Sequence, residues 1–478
     1  FDYQTKDLIK NAMKKTTQLV ELFRHQSERL GQMKPNATKS ILAHFKRLSG
    51  PLENSLINDL EILRNLSAKE DSEEIQKLND IAQNIIHTSQ NPKNCQKANK
   101  LHCSMKHTSC GFGCIVHMYE ICMFVAVGEA RSMQYDLNQL IAYPGINATF
   151  KYPSDTCVNR TNFAKSLEKM QLHRKMKLSP SPLTEHLAVT HASWIPDKLL
   201  PRIKRVHTPS AWWTGQVVSY IVRLQKQVKS KLKKAKEKIK FAHPIAGIHV
   251  RRRDKIGEAY FLDLERYMDH VESWYDQYML QHPEERVIRR VYLATDDAEL
   301  VKSANTKYPE YQFITYVSDY MLNVVNRNSD SAINGILFDT FLLKECDFVV
   351  VTFSSNIGRL VYQLRQTLPM DPSFNTISLD DRHSYCGEKG QHHVAIMDHN
   401  PPSFIKCNDT QHRSNTKVMR SWTCELELKI GDKIQKIPFL HHEYLTGGYN
   451  RRTFLHGLYP AHKAKDILIP APYPTFGL

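Results

Sequence analysis

The densest set of chemically capable side chains is the run His249-Val250-Arg251-Arg252-Arg253-Asp254-Lys255-Ile256-Gly257-Glu258. It grows out of a short apolar stretch, Ile245 to Val250, that reads as a buried strand. Alternation along an extended chain sends His249 and Arg251 to one side and Arg252 to the other. Guanidinium groups offer planar forks of N–H donors that match phosphate oxygens, so adjacent arginines at a strand end read as a diphosphate clamp. An ordinary basic loop is the bland alternative. Fixed cations next to Asp254 and Glu258, just past a buried strand where open α/β sheets bind ligands, favour the clamp.

A second cluster, Phe353-Ser354-Ser355-Asn356-Ile357, falls where another apolar run ends and an amphipathic helix (Ile357, Leu360, Val361, Leu364) begins. Hydroxyls and backbone N–H groups at a helix start make an anion site, although plain N-capping explains Ser354 or Ser355 equally well. Two more strand ends present Asp296-Asp297 and Asp380-Asp381, and Asp339 lies on the helix ahead of the Phe348 strand. The chain has no Asp-x-Asp, the motif on which many sugar transferases hold a divalent cation. Arginines would then offset the leaving-group charge, in a displacement at a sugar's anomeric carbon through an oxocarbenium-like transition state. Glu258, close to the clamp, is the candidate general base, since desolvation lifts a glutamate pKa into the useful range, and Lys255 could orient it.

Such side chains need a frame. Ile245–Val250, 291–295, 313–316, 348–352 and 376–379 read as strands, with helical stretches between them, among them Ser331 to Glu345 with Ile333, Leu337, Phe341 and Lys344 on one face. Strands alternating with helices imply βαβ units, a parallel sheet and a Rossmann-like unit. No Gly-x-Gly-x-x-Gly turn and no Walker loop occurs, which argues against hydride transfer and ATP hydrolysis. Heptad-like spacing from Ile9 to Leu30, at Leu56, Leu60 and Leu63, and at Ile75, Leu78, Ala82 and Ile85 predicts long N-terminal helices, either a coiled-coil stem or a hairpin packed on its own body. Short alternating runs after residue 425, closing on Gly457-Leu458-Tyr459-Pro460, predict a small antiparallel barrel of the Src-homology-3 (SH3) type. The expected division is 1–90 helical stem, 91–244 disulfide-rich open-sheet α/β part, 245–390 Rossmann-like domain, 391–424 loop insert and 425–478 barrel.

The 478 residues carry a formal charge of +16, much of it from Lys226 to Lys240. Val228, Leu232, Ala235 and Ile239 recur there at helical spacing, which makes the run a helix with a solvated basic face. It holds no aromatic side chain for base stacking, so nucleic acid is not the expected partner. A basic balance also suits anionic nucleotide-sugars. Five Asn-x-Ser/Thr sequons, at Asn36, Asn65, Asn147, Asn159 and Asn408, accompany six cysteines crowded between Cys95 and Cys157. Together they read as a disulfide framework in an oxidising compartment; zinc on Cys103, Cys110, Cys114 and Cys122 with nearby histidines is the rival. Two glycines within Cys110-Gly-Phe-Gly-Cys114 would allow a very short bridge.

The chain resembles the α1,6-fucosyltransferases over nearly its whole length. His249 to Glu258 is similar to the family's donor motif, Tyr292 to Asp297 and Ser378 to Asp381 to its two later motifs, and Cys95 to Cys157 to its disulfide knot. The resemblance implies a GT-B-like α/β fold and inverting, metal-independent, cofactor-free transfer from GDP-fucose to the innermost GlcNAc of N-linked glycans. It further implies a type II Golgi membrane protein with an anchor upstream of Phe1, a homodimer through the N-terminal helices, and a real terminal barrel. His249 and Asp339 would recognise guanine, while Arg251, Arg252, Ser355 and Asn356 would hold the diphosphate, with Asp254 nearby. Glu258 would be the base beside Lys255, and Tyr267, Asp296 and Asp297 would complete the donor pocket. Asp381 and His441 would face the acceptor, and the bridges would be Cys95–Cys157, Cys103–Cys122 and Cys110–Cys114.

Departures from the family pattern are Asn356 for the usual Gln, Val351 and Gly358 for a cysteine pair, and one residue fewer between Lys255 and Glu258. The loop holding Cys407 and Cys424 looks longer than usual, and a local bridge between them is expected. A fucosyltransferase for protein hydroxyls or chitin-type acceptors, and a non-catalytic glycan-binding scaffold, are the remaining alternatives.

Overall fold

The computed structural model describes residues 12, 16, 59–60, 62, 68–104, 111–135, 146–157, 167–171, 194–203, 206–252, 262–316, 330–380, 392–407, 424–441 and 445–474. Helix α1 (Ala68–Gln90) leads into a three-stranded parallel sheet of β1 (Lys100–Ser104), β2 (Ser132–Tyr135) and β3 (Leu167–Gln171), with β1 central and α2 (Phe112–Gly128) between β1 and β2. Strand β4 (Trp194–Pro196), α3 (Pro209–Ile221) and α4 (Lys226–Lys238) follow. Helix α2 is buried on nearly every side, as its all-round apolar sequence requires. In α4 only Val228, Leu232 and Ala235 are buried, so its lysines are solvated as expected.

The described part of the stem is not free-standing. Leu78, Ala82, Ile85 and Ile86 of α1 lie in one core with α2 and α3. Asn79 Oδ1 accepts hydrogen bonds from Trp212 Nε1 and Gln216 Nε2, each at 2.7 Å. The α1 seam is therefore filled by the chain's own α3. The heptad positions from Ile9 to Leu63 lie outside the described residues, apart from Thr16 and Leu60.

The second sheet is parallel and five-stranded, built from β5 (Ile245–Val250), β6 (Arg290–Thr295), β7 (Gln312–Ile314), β8 (Phe348–Val351) and β9 (Thr376–Ser378) in the order β7-β6-β5-β8-β9. All five are the strands read from the sequence. Their connections carry α5 (Leu264–Gln281), α6 (Ala298–Lys307), α7 (Asp330–Glu345) and α8 (Asn356–Arg365). Helix α7 buries Leu337, Phe338, Leu342 and Leu343, whereas Phe341 is only partly covered. The predicted 337/341/344 stripe thus turns by one position, because Phe338 and Leu342 fill the core.

Five antiparallel strands close the chain: β10 (His392–Ala395), β11 (Lys433–His441), β12 (Leu445–Asn450), β13 (Leu455–Pro460) and β14 (Ala464–Asp466), ordered β13-β12-β11-β10-β14. Two expected boundaries move. Strand β10 falls in the stretch read as a loop insert and joins the sheet, with buried His393 bonded through Nδ1 to Tyr459 Oη at 2.7 Å. Strand β15 (Ile469–Ala471) leaves that sheet and pairs in parallel with β4. Cys95–Cys157, Cys103–Cys122 and Cys407–Cys424 are disulfides, Cys114 is also disulfide-bonded, and Cys346 is a buried free thiol. Cys110 and Cys386 lie outside the described residues. No described helix is long and apolar enough to cross a membrane.

Candidate active site

Strand order reverses between β5 and β8, since β6 and β7 extend the sheet one way and β9 the other. In open parallel sheets that reversal opens a crevice past the carboxyl ends of the two strands. Arg251 and Arg252 leave β5 there, and Phe353 to Asn356 leave β8. The two clusters picked from the sequence are thus brought to one edge.

Arg251 is anchored. Its Nη1 lies 2.8 Å from Asp296 Oδ2, and the Arg252 backbone N–H donates to Asp296 Oδ1 at 2.9 Å. The Asp296 side chain is 2% exposed while that of Arg251 is 19% exposed. A buried carboxylate at the end of β6 therefore fixes a guanidinium that reaches the crevice. Asp297 has a different task, accepting the Glu299 N–H at 3.1 Å as the N-cap of α6.

The β8–α8 turn is tied on both sides. Asp380, just past β9, accepts from the Phe353 N–H at 2.7 Å, the Ser378 hydroxyl at 3.1 Å and the Ser354 N–H at 3.3 Å. Arg359, 1% exposed, donates to the Phe353 carbonyl and to Asn356 Oδ1. Ser355 is the N-cap residue of α8, buried, with no cap hydrogen bond from its side chain. The first-turn N–H groups of α8 have no acceptor within the helix, which leaves a partial positive charge at the crevice. Gly358 allows this tight return, for a Cβ there would lie 2.2 Å from the Thr352 carbonyl oxygen. It would also lie 3.3 Å from Val351 Cβ, so the positions that carry a cysteine pair elsewhere do face each other.

His249 is buried near the end of β5. Asp339 on α7 accepts the Tyr292 phenol at 2.5 Å, and burial raises its carboxyl to about 7. Tyr267 is buried on α5; burial first, then the Asp380 charge, pushes its phenol above the ordinary range, opposed by Arg252 and a hydrogen bond with Thr352. Asp254, Lys255, Glu258 and Asp381 lie outside the described residues, as does the side chain of His441 at the end of β11.

Several residues of this edge were not assigned to the donor site by the sequence reading, which placed His117 only among the histidines of the rival zinc site. Asp380 was visible only as half of an Asp pair. Arg359 and Gln363 on α8, with His117 and Glu120 on α2, form a buried polar cluster behind Asn356. The available signal was the pair of polar side chains, His117 and Glu120, inside an otherwise apolar helix.

A family profile described as "Alpha-(1,6)-fucosyltransferase N- and catalytic domains" matches residues 2–383. The chain belongs to the α-(1,6)-fucosyltransferase family. These are glycosyltransferases. The chain is 31% identical over 435 residues to the Drosophila melanogaster alpha-(1,6)-fucosyltransferase, covering 89% of this chain and 66% of that protein. Against the Caenorhabditis elegans alpha-(1,6)-fucosyltransferase it is 30% identical over 434 residues, covering 86% and 72%. Among solved structures, NodZ alpha-1,6-fucosyltransferase co-crystallised with GDP is similar at 12% identity and TM-score 0.30, over 56% of this chain and 92% of that one. POFUT1 in complex with GDP-fucose is similar at 10% identity and TM-score 0.31, over 56% and 94%. Family membership rests on the sequence matches alone.

Proposed function

We propose that this α-(1,6)-fucosyltransferase family member transfers L-fucose from GDP-fucose in α1,6 linkage to the innermost GlcNAc of N-linked glycans, with inversion and without a metal ion. The observation that carries the reading is Arg251, held by buried Asp296 at the switch point of the parallel sheet, beside the start of α8. A guanidinium fixed before the donor arrives needs no reorganisation as charge develops on the departing diphosphate. The acceptor 6-hydroxyl oxygen attacks the fucose anomeric carbon, the bond from that carbon to the diphosphate oxygen breaks, and GDP leaves with the electron pair. Glu258 takes the hydroxyl proton, oriented by Lys255.

Arg252, Ser355 and Asn356 share the diphosphate with Arg251. Asp339 and His249 recognise guanine, while Asp381 and His441 meet the glycan. The antiparallel terminal sheet is read as the SH3-like barrel, and the chain as the luminal part of a Golgi enzyme that dimerises through its N-terminal helices. The direct test is incubation with GDP-fucose, EDTA and a truncated N-glycan. Core fucosylation undiminished by EDTA is expected; no transfer, or transfer abolished by EDTA, overturns the reading.

A further inference from the structure

Helix α4 presents one sign of charge to solvent. Seven of its 13 residues are lysines and one, Glu237, is acidic. Lys226, Lys229 and Lys233 recur along one side of the helix at spacings of three and four, and Lys231, Lys234 and Lys238 do so along the other. All six are exposed. Lys236 is half-buried and pairs with Glu345 at the end of α7; it is the one α4 lysine with an acidic partner among the described residues.

This arrangement works against the helix that carries it. Like charges three and four positions apart repel. The positive end of the helix dipole meets Lys226 and Lys229, with no acidic residue in the first turn. Solubility asks only for charge and is served as well by alternating signs, which would add attraction along each row. The exposed lysines do not fill the core either, since Val228, Leu232 and Ala235 anchor α4 there. What the two rows supply is a cationic track about 18 Å long, from the helical rise per residue.

We propose that the exposed face of α4 is a docking surface for a linear sulfated polysaccharide lying along the helix between the two lysine rows. Closely spaced sulfates on a sugar chain complement ammonium groups on flexible stems and need no shaped pocket. The disulfides fit an oxidising compartment, where such polysaccharides occur and nucleic acid does not, and the face has no aromatic side chain for base stacking. A bilayer fits less well, because the apolar side chains of α4 point into the protein and none is left to enter the lipid interface. The track is also remote from the crevice. The chain runs from α4 into the amino end of β5, and Lys236 reaches Glu345 just ahead of β8. Helix α4 thus sits at the amino ends of the strands whose carboxyl ends form the crevice, and a bound polysaccharide leaves the donor site open.

Heparin oligosaccharides are the probe, added to the full chain at about 0.15 M salt. The combined variant Lys229→Gln, Lys231→Gln, Lys233→Gln and Lys234→Gln should weaken heparin binding about tenfold or more and flatten its salt dependence, because fewer counterions exchange. The same change at four exposed lysines elsewhere, Lys93, Lys97, Lys429 and Lys465, should weaken it less than about threefold. Equal losses in the two variants would reduce the effect to net charge and overturn the docking surface, as would wild-type binding by the α4 variant. The α4 variant should melt no lower than wild type, since Gln matches Lys in helix propensity and the repulsion is relieved. A lower melting temperature would show that the lysines serve the fold and would remove the premise. Heparin displaced by saturating GDP would lie in the crevice, against the proposal. Tighter binding to phosphatidylserine vesicles or to single-stranded RNA than to heparin, lost with the same four lysines, would assign the face to another partner and contradict it.

Discussion

Arg251 and Asp296 show how one buried carboxylate converts a basic loop into a directed cation. Removing the guanidinium should slow turnover by about 10² to 10³, the usual effect of losing one preorganised charge-stabilising group, while the far-ultraviolet circular dichroism stays unchanged. Wild-type rates in Arg251→Ala would refute the clamp. Asp339 makes a pH-dependent prediction. Its carboxyl is raised by burial from 3.8 to about 7, so between those values the unfolded chain binds fewer protons than the folded one. Folded-state stability is therefore fully present below 3.8 and falls as pH rises toward about 7. Asp339→Asn should gain melting temperature over wild type as pH climbs through that window, and lose affinity for GDP. A constant difference in melting temperature across the window would contradict the raised carboxyl. The arginines were legible because phosphate chemistry needs that residue type at a strand end. His117 and Glu120 were not, because a pair of polar residues in an apolar helix does not announce its partners on a distant helix.

Elements set the residues' positions through their ends. The β8–α8 turn is held by Asp380, just past β9, which accepts from the backbone N–H groups of Phe353 and Ser354, and by Arg359 from inside α8, which donates to the Phe353 carbonyl and the Asn356 side chain. Asp380→Asn should lower thermal stability by about 1–3 kcal/mol by weakening charge-assisted bonds to the turn, and should raise KM for the donor more than it lowers kcat. An unchanged KM would mean the turn does not shape the donor site. Strands β5, β6 and β8 could be read from sequence because parallel strands covered on both faces are continuous apolar runs. Strand β10 was missed, for His392-His393-Val394-Ala395 is four residues with two histidines, and only pairing with β11 and β14 makes it a strand.

Across the whole molecule, the disulfide-bearing part and the parallel sheet share one core, with α2 and α8 in contact. Cys103–Cys122 ties β1 to α2 across 19 residues. Replacing both cysteines by serine should remove about 3 kcal/mol of stability, from chain-entropy arguments, and should weaken GDP binding because α2 backs Asn356. GDP affinity that survives this loss of stability would separate the two parts. The sequence showed the cysteine framework, yet pairing follows from three-dimensional proximity that spacing does not encode. The most direct measurement is a crystal structure with GDP bound. The diphosphate is expected within hydrogen-bond distance of the Arg251 guanidinium and the Asn356 amide nitrogen, over the carboxyl ends of β5 and β8. GDP bound elsewhere on the chain, with Arg251 making no contact to it, would contradict the clamp and the mechanism built on it.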